Sequence, residues 1–452
     1  MNTTVPTRGA LSPVSAVQTA GRQRKCLPPL WGVRRLKYLA SRPIVNGVGE
    51  AGAYDEPDWP RYVRITDIAG PRRLRDDTFK SLPPLLAEQA PLAVGDLLLA
   101  AVGATYGKSY LHTRDVGPAC FAGYLVRFSS GSNVIPEYAA YWTESSDYWS
   151  QVQSNVVQST IQNFSAGKYR ELLMPCPPLE EQIAVTDFLD RETEKIDALV
   201  AKKQRLIELL QEKRTALISH AVTKGLDPDV PMKDSGVEWL GQIPQAWNVL
   251  PIRRLAARVQ TGSTPPTEVE AYYRNGELPW FGPGSFGVTL QLTAPTKWIA
   301  ASAAEQGAAR VFDAGSTFVV CIGATLGKVG LVSAPSSANQ QITAITWRAG
   351  SIDPLYGALQ MKSLEPLLPG IAPASTLPIL DQSKIMELPI VVPPLGQQEQ
   401  IARWLCAQTD AIDALLAKIR EATLRLGEYR SSLVTAAVTG QIDVRTYRQE
   451  AS

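Results

Sequence analysis

The sequence predicts an α+β protein assembled twice over. Two globular α/β heads are separated by a pair of long antiparallel coiled-coil helices, arranged as a pseudo-two-fold internal repeat. Three observations predict it. A 51-residue segment starting at Pro177 recurs without gaps from Pro393, an offset of 216, with about 20 identities that include IDAL and AVT. Each copy follows about 150 residues of short strand-like runs broken by Gly and Pro turn signals. Each copy also carries apolar residues in alternating steps of three and four, the pattern of a coiled-coil seam.

In chain order, residues 1–26 have no compact apolar stretch of the secretory kind and read as a disordered extension or an upstream start. The first head is expected over 27–176, with strands at RYVRITDI (61–68) and DLLLAAVG (96–103). A helical repeat over 177–227 and a linker over 228–246 follow. The second head is expected over 247–392, with a strand at STFVVCIG (316–323), then the second helical repeat over 393–443 and a tail over 444–452. Short helices are expected at 136–151 and 353–366, where apolar residues recur at helical spacing. Other landmarks keep the offset of 216: Trp31 and Trp247, Ser159-Thr160 and Ser375-Thr376, Lys168 and Lys384. GATYGK at 103–108 and GATLGK at 323–328 lie 220 apart, so the second copy has gained four residues before that point.

Pro-Pro marks the approach to each long helix, and Gly225 or Gly440 its end. In the second copy the seam is expected through Ile412, Leu415, Ile419, Ala422, Leu426, Tyr429, Leu433 and Ala436. In the first it runs through Ile196, Leu199, Leu206, Leu210 and Leu217, with Lys203, Lys213 and His220 as polar interruptions. The stretch from Thr193 to Thr223 makes a rod of roughly 45 Å at 1.5 Å per residue.

Composition narrows the function classes. The net charge of +2 gives no global basic field. The five cysteines (Cys26, Cys120, Cys176, Cys321, Cys406) are scattered without a CxxC and read as reduced thiols of a cytoplasmic protein. Only His112 and His220 are present, neither with a ligand-like neighbour, which argues against a zinc site or a histidine triad. No apolar run reaches the ~18 residues of a membrane span, and Asp96 interrupts the best candidate. GATYGKS approaches a phosphate-binding loop, but Val102 stands where its first glycine should be. The second copy has Ile322 there and ends on Val329. CPPL and VPPL lack the amide or carboxylate that an adenine-methyltransferase motif places before its prolines.

PPLEEQ, FLDRETEKIDALV and RTALISHAVTKGLD resemble the central repeat of type I restriction-modification specificity subunits. PPLGQQEQIARWL, IDALL and SLVTAAVTGQID are similar to their C-terminal repeat. WGVRRLKYL, YVRITDI, LPWFGPG and IGATLGKVGL resemble the openings and inner strands of that family's target recognition domains. The likeness runs from about residue 27 to 443. It implies a chain without catalysis whose two target recognition domains each read half of a split site in double-stranded DNA. The helices would be spacer and docking surface for two modification (methyltransferase) subunits. Restriction (translocase-nuclease) subunits would complete the complex. S-adenosylmethionine, ATP and Mg would belong to those partners and none to this chain. A rod of roughly 45 Å only modestly exceeds the 34–36 Å of one DNA turn, so its length would set the unread gap. Two alternatives stay open: a two-headed protein-binding scaffold, which the near-neutral charge favours, and an enzyme.

Within that reading, Arg64, Arg72, Arg73 and Arg75 are candidates for phosphate contact or a solvated loop. Lys108 and Lys328 are either solvated or on a phosphate. Asn339, Gln340 and Gln341 could read adenine, or form an exposed turn or a buried amide pair, with Cys120 and Phe121 at the positions matching the glutamines. Gln158, Ser159 and Thr160, continuing to Gln162 and Asn163, form a comparable polar run, and Ser375 and Thr376 are its counterpart. Asp197 and Asp413 read as solvated or bonded between helices.

Overall fold

The computed structural model describes residues 27–155, 163–372 and 378–445. Gln158, Ser159, Thr160, Gln162, Ser375, Thr376 and Cys26 lie outside the described residues, as do most of the expected extension and tail. The chain divides into two compact units. The described part of unit one is drawn from residues 27–198 and 425–445, and that of unit two from 199–424. The helical repeats therefore do not form units of their own. Each unit holds a head, the first part of that head's own helix and the last part of the other one.

The head of unit one is built on an antiparallel sheet in the order Val45–Asn46, Leu125–Ser129, Asp96–Ala100, Ser109–Leu111. Every residue of the central strand Asp96–Ala100 is buried, which is why DLLLA reads as a continuous apolar run rather than an alternating one. Arg61–Val63 and Ala119–Phe121 pair in parallel beside it. Gly32–Arg35, the first strand, pairs with Leu173–Cys176, the last before the helix. Unit two repeats this plan. Its sheet runs Ala256–Thr261, Ile342–Trp347, Thr317–Val320, Val329–Leu331. Leu278–Phe281 pairs in parallel with Ser336–Ala338, and Asn248–Pro251 closes on Pro389–Val392.

GATYGK and GATLGK are hairpin turns between strands. The Gly107 N–H donates to the Ala100 carbonyl and the Ala100 N–H to the Lys108 carbonyl, and Gly327, Val320 and Lys328 repeat both bonds. Gly107 and Gly327 have φ of +83° and +93°, and a Cβ on Gly107 would meet the Trp149 ring at 2.8 Å. The turn leads into a strand, so the helix N-terminus that a nucleotide-binding loop needs is not there.

The long helices run Leu179–Lys224 and Leu395–Val438, 46 and 44 residues. Both start directly after Pro-Pro, so the first extends well before the Thr193–Thr223 stretch of the expected rod. The PPLxxQ motif, present in both copies, is a joint. Trp31 Nε1–H donates to Glu181 at 2.6 Å, and Trp247 Nε1–H to Gln397 at 2.8 Å. Gln182 binds the Asn133 and Pro177 carbonyls and accepts from the Ile135 N–H. Gln398 binds the Pro393 carbonyl and accepts from the Asp353 N–H. The AVT motif is the other joint. The Tyr138 hydroxyl donates to the Val438 carbonyl in unit one, and Tyr356 and Gln360 donate to the Val222 carbonyl in unit two. These are terminal helix carbonyls that have no partner within their own helix.

In unit two the helices pack antiparallel: Ile207 clusters with Ile412, Leu416 and Ile419, while Ile218–Val222 share a core with Ile401–Leu405. The seam is one residue out of phase with expectation at every second position. The most regular buried or half-buried stripe runs through 196, 200, 203, 207, 210, 214, 217 and 221 in the first helix, and 412, 416, 419, 423, 426, 430, 433 and 437 in the second, with the expected Ala422 and Ala436 half-buried beside it. Ile196, Leu210, Leu217, Ile412, Ile419, Leu426 and Leu433 thus lie on it. Leu199, Leu206, Leu415 and Tyr429 do not: Leu415 is 43% exposed where Leu416 is 1%. The cause is a basic residue on the seam. Arg214 pairs with Asp413 in unit two, and Arg430 pairs with Asp197 in unit one, the same pair related by the offset of 216.

Candidate nucleic-acid interface

The proposed contact residues separate once their partners are seen. Arg64 is half-buried, its guanidinium on Asp67 at 2.8 and 3.1 Å and on the Thr78 carbonyl at 2.6 Å. Arg72 lies over the Tyr141 ring, 4.7 Å from its centre, and bonds Asp190 of the first helix at 2.7 Å. Tyr141 donates to the same carboxylate at 2.6 Å, and burial pushes its phenol up beyond the usual tyrosine range. Both guanidiniums are therefore committed to partners within the fold, with about a third or less of each side chain exposed. Arg73 and Arg75 are exposed and make no ion pair among the described residues, and Lys108 is exposed beside them in kind. Lys328 is half-exposed, 4.0 Å from Glu365.

Asn339 is buried and organises its own turn, donating to Gln341 Oε1 and accepting from the Gln341 N–H, both at 3.0 Å. The buried amide pair is thus the arrangement found for Asn339 and Gln341. Gln340 is exposed and accepts from the Thr264 hydroxyl. It lines an open cavity of about 450 Å³ with Thr261, Thr343, Asp381 and Gln382, where Gln382 donates to Thr261 at 2.7 Å.

The matching place in unit one follows from backbone register, and it corrects the expected alignment. The Ala101 N–H donates to the Tyr124 carbonyl, as Cys321 N–H does to Gln341, and Leu125 N–H to Ala122 as Ile342 N–H does to Asn339. Gly123 and Tyr124 therefore occupy the positions that match the two glutamines. Cys120 and Phe121 belong to a buried parallel strand, where burial pushes the Cys120 thiol up to about 12. The offset here is 217 rather than the 220 of the glycine turns, because the loop before this strand is shorter in unit two. Tyr124 is 66% exposed. Likewise Ser165 and Ala166 stand where unit two has Asp381 and Gln382, since Phe164 N–H bonds Ala101 as Leu380 N–H bonds Cys321. Sequence reading missed Tyr124, Thr261, Asp381 and Gln382; hydrogen-bond register locates them, and identity does not.

Among the described residues no cluster of acidic, Cys or His side chains could hold a metal, and no helix is long and apolar enough to cross a membrane. Cys120, Cys176, Cys321 and Cys406 are free thiols.

Residues 244–423 match the family described as type I restriction modification DNA specificity domain. The type I restriction enzyme MjaIX specificity subunit of Methanocaldococcus jannaschii is 28% identical over 38% of this chain and 40% of its own length. The putative MjaX specificity subunit of the same organism is 22% identical over 61% of each. The chain thus spans less than two thirds of either relative. The EcoR124I/EcoR124II specificity subunit of Escherichia coli is 23% identical over 68% of this chain and 70% of that one. A solved chain from work on assembly and conformational transition of the type I R-M system superposes with a TM-score of 0.68 at 18% identity, covering 93% of this chain and 100% of its own. That likeness shows the same fold. Repeat, joints and fold agree with the matched domain, and residues 244–423 of this chain carry a type I restriction modification DNA specificity domain.

Proposed function

We propose that this chain is a non-catalytic DNA-specificity subunit whose heads, over 27–176 and 247–392, each read one half of a split duplex target. The observation that carries this is one scaffold with two faces. The closing strands, glycine turns and helix joints keep the same bonds in both units, whereas Gly123, Ser165 and Ala166 give way to Gln340, Asp381 and Gln382, which line the cavity of unit two. A protein that needed two equal binding surfaces would have no use for that divergence. Two modification subunits would dock on the helices. The exposed row Leu199, Leu206 and Leu209, on one face of the first helix, supports such a covered surface. Methyl transfer and cleavage fall to the partners.

The arginines provide the test, through the salt dependence of duplex binding. Arg73→Ala and Arg75→Ala should each flatten the slope of log affinity against log salt by about 0.9 while leaving the melting temperature unchanged. Arg64→Ala and Arg72→Ala should destabilise the fold by about 1–3 kcal/mol and leave that slope alone. Equal slopes in the parent, Arg73→Ala and Arg75→Ala would remove this loop from the interface. A parent without affinity for duplex, alone or with its modification subunit, would favour the protein-binding scaffold.

A further inference from the structure

The two units match closely at the joint between head and helix, and one side chain breaks the match. In unit one, Arg430 bonds Glu144 at 2.6 Å and Asp197 at 3.1 Å, so one cation meets two carboxylates. The helix that bears Glu144 is in register with the one that bears Lys362, since Tyr138 and Tyr356 make equivalent bonds six residues earlier in each. Where unit one sets Glu144 against Arg430, unit two sets Lys362 against Arg214, two cations facing each other inside the protein.

Both are buried, the Arg214 side chain to 7% exposure and that of Lys362 to 6%. Lys362 donates to Glu365 at 2.8 Å and to the Val329 carbonyl at 3.3 Å. Glu365 is already engaged by the Val329 N–H at 2.6 Å. Arg214 reaches Asp413 only at 3.3 and 3.5 Å, long for a charge-assisted bond, and its Nε–H has no hydrogen-bond partner among the described residues. Lys328 adds a third cation 4.0 Å from Glu365. Burial, with Arg214 and Lys328 close by, holds the Lys362 ammonium below the usual lysine range despite Glu365. Three cations, Arg214, Lys362 and Lys328, and one carboxylate, Glu365, line a solvent-accessible cavity of about 230 Å³, with Gln211, Thr215 and Ser363 as further polar walls.

Two buried cations, one of them poorly paired, beside an open cavity with a third cation at its wall are costly unless an anion shares them. We propose that this cavity is a phosphate-binding site, present in unit two and cancelled in unit one by Glu144. The ligand is a tetrahedral phosphate oxyanion, held by Arg214, Lys362 and Lys328. It is either free phosphate or a backbone phosphate of bound duplex, and the site does not depend on which bases the heads read.

The test uses the full chain and the variant Lys362→Glu, which installs the unit-one arrangement and gives Arg214 a carboxylate to pair with. Inorganic phosphate at constant ionic strength should raise the melting temperature of the parent with saturation and give a calorimetric binding isotherm. Lys362→Glu should melt at or above the ligand-free parent yet weaken phosphate binding by more than about tenfold, and Lys328→Ala should weaken it by a smaller factor. A parent with no saturable response, or a response that survives Lys362→Glu, overturns the site. Duplex titration then names the source. If a backbone phosphate occupies the cavity, Lys362→Glu lowers the salt slope by about 0.9; if only free phosphate does, the slope is unchanged. The phosphate arm can fail while duplex binding stands, and the reverse, so the two readings fall separately.

Discussion

Leu416→Ala should lower the unfolding free energy by about 2–5 kcal/mol, while Leu415→Ala, one residue away, should change it by less than about 0.5 kcal/mol. The pair isolates the phase of the helix seam. Leu416 is sealed against Ile207, Ile412 and Ile419, so removing its side chain loses transfer free energy and leaves a cavity. Leu415 stands on the outer face. Ile207→Ala should resemble Leu416→Ala, and Leu206→Ala should resemble Leu415→Ala. Denaturant melts of the isolated chain decide it. Equal losses at 415 and 416 would mean that the helices pair through the other phase.

Arg430→Ala should cost about 3 kcal/mol at neutral pH, through the carboxylate it abandons. Glu144 is only 12% exposed on its side chain, and burial raises its pKa even with Arg430 beside it. Without the guanidinium that pKa rises further. A carboxyl whose folded pKa exceeds its unfolded value loses stability as pH climbs from the unfolded value through the folded one. The deficit relative to the parent should therefore be small below about pH 4.5 and grow towards pH 7, which melting curves across that range will show. Glu144→Gln in the same background should recover most of it, since a neutral amide needs no counter-ion.

Much of the architecture was legible because it was written twice. The offset of 216 located the heads, the helices and both joints, since Trp31 and Trp247 or Val222 and Val438 do the same work in each copy. The seam phase was not legible. A search for apolar steps chooses Tyr429 over Arg430 and passes over Arg214, and only contact with Asp197, Glu144 and Asp413 explains why the basic residues are the buried ones. Leu415-Leu416 offers the same apolar choice in either phase. The contact surface was legible in kind but not in detail. Arg64 and Arg72 look like free cations until Asp67 and Asp190 are seen beside them. Gln340 was set against the wrong residue because a three-residue difference in loop length separates the glycine turn from the strand that follows. Beside the matched tryptophans the offset holds in space where identity does not: Arg253, in the short helix Ile252–Leu255, stands where unit one has Lys37, and the two pair with the matching glutamates Glu387 and Glu171.

The central claim is that one chain carries two independent readers on a duplicated scaffold. Its most direct test is the methylation pattern that this chain directs when combined with its modification subunits, read by sequencing methylated DNA, for the parent and for Gln340→Ala with Gln382→Ala in the second head. The account predicts a two-part motif with a fixed gap, in which the double substitution relaxes or shifts one half and leaves the other half and the gap as they were. A single uninterrupted motif, or a substitution in one head that alters both halves together, would contradict it.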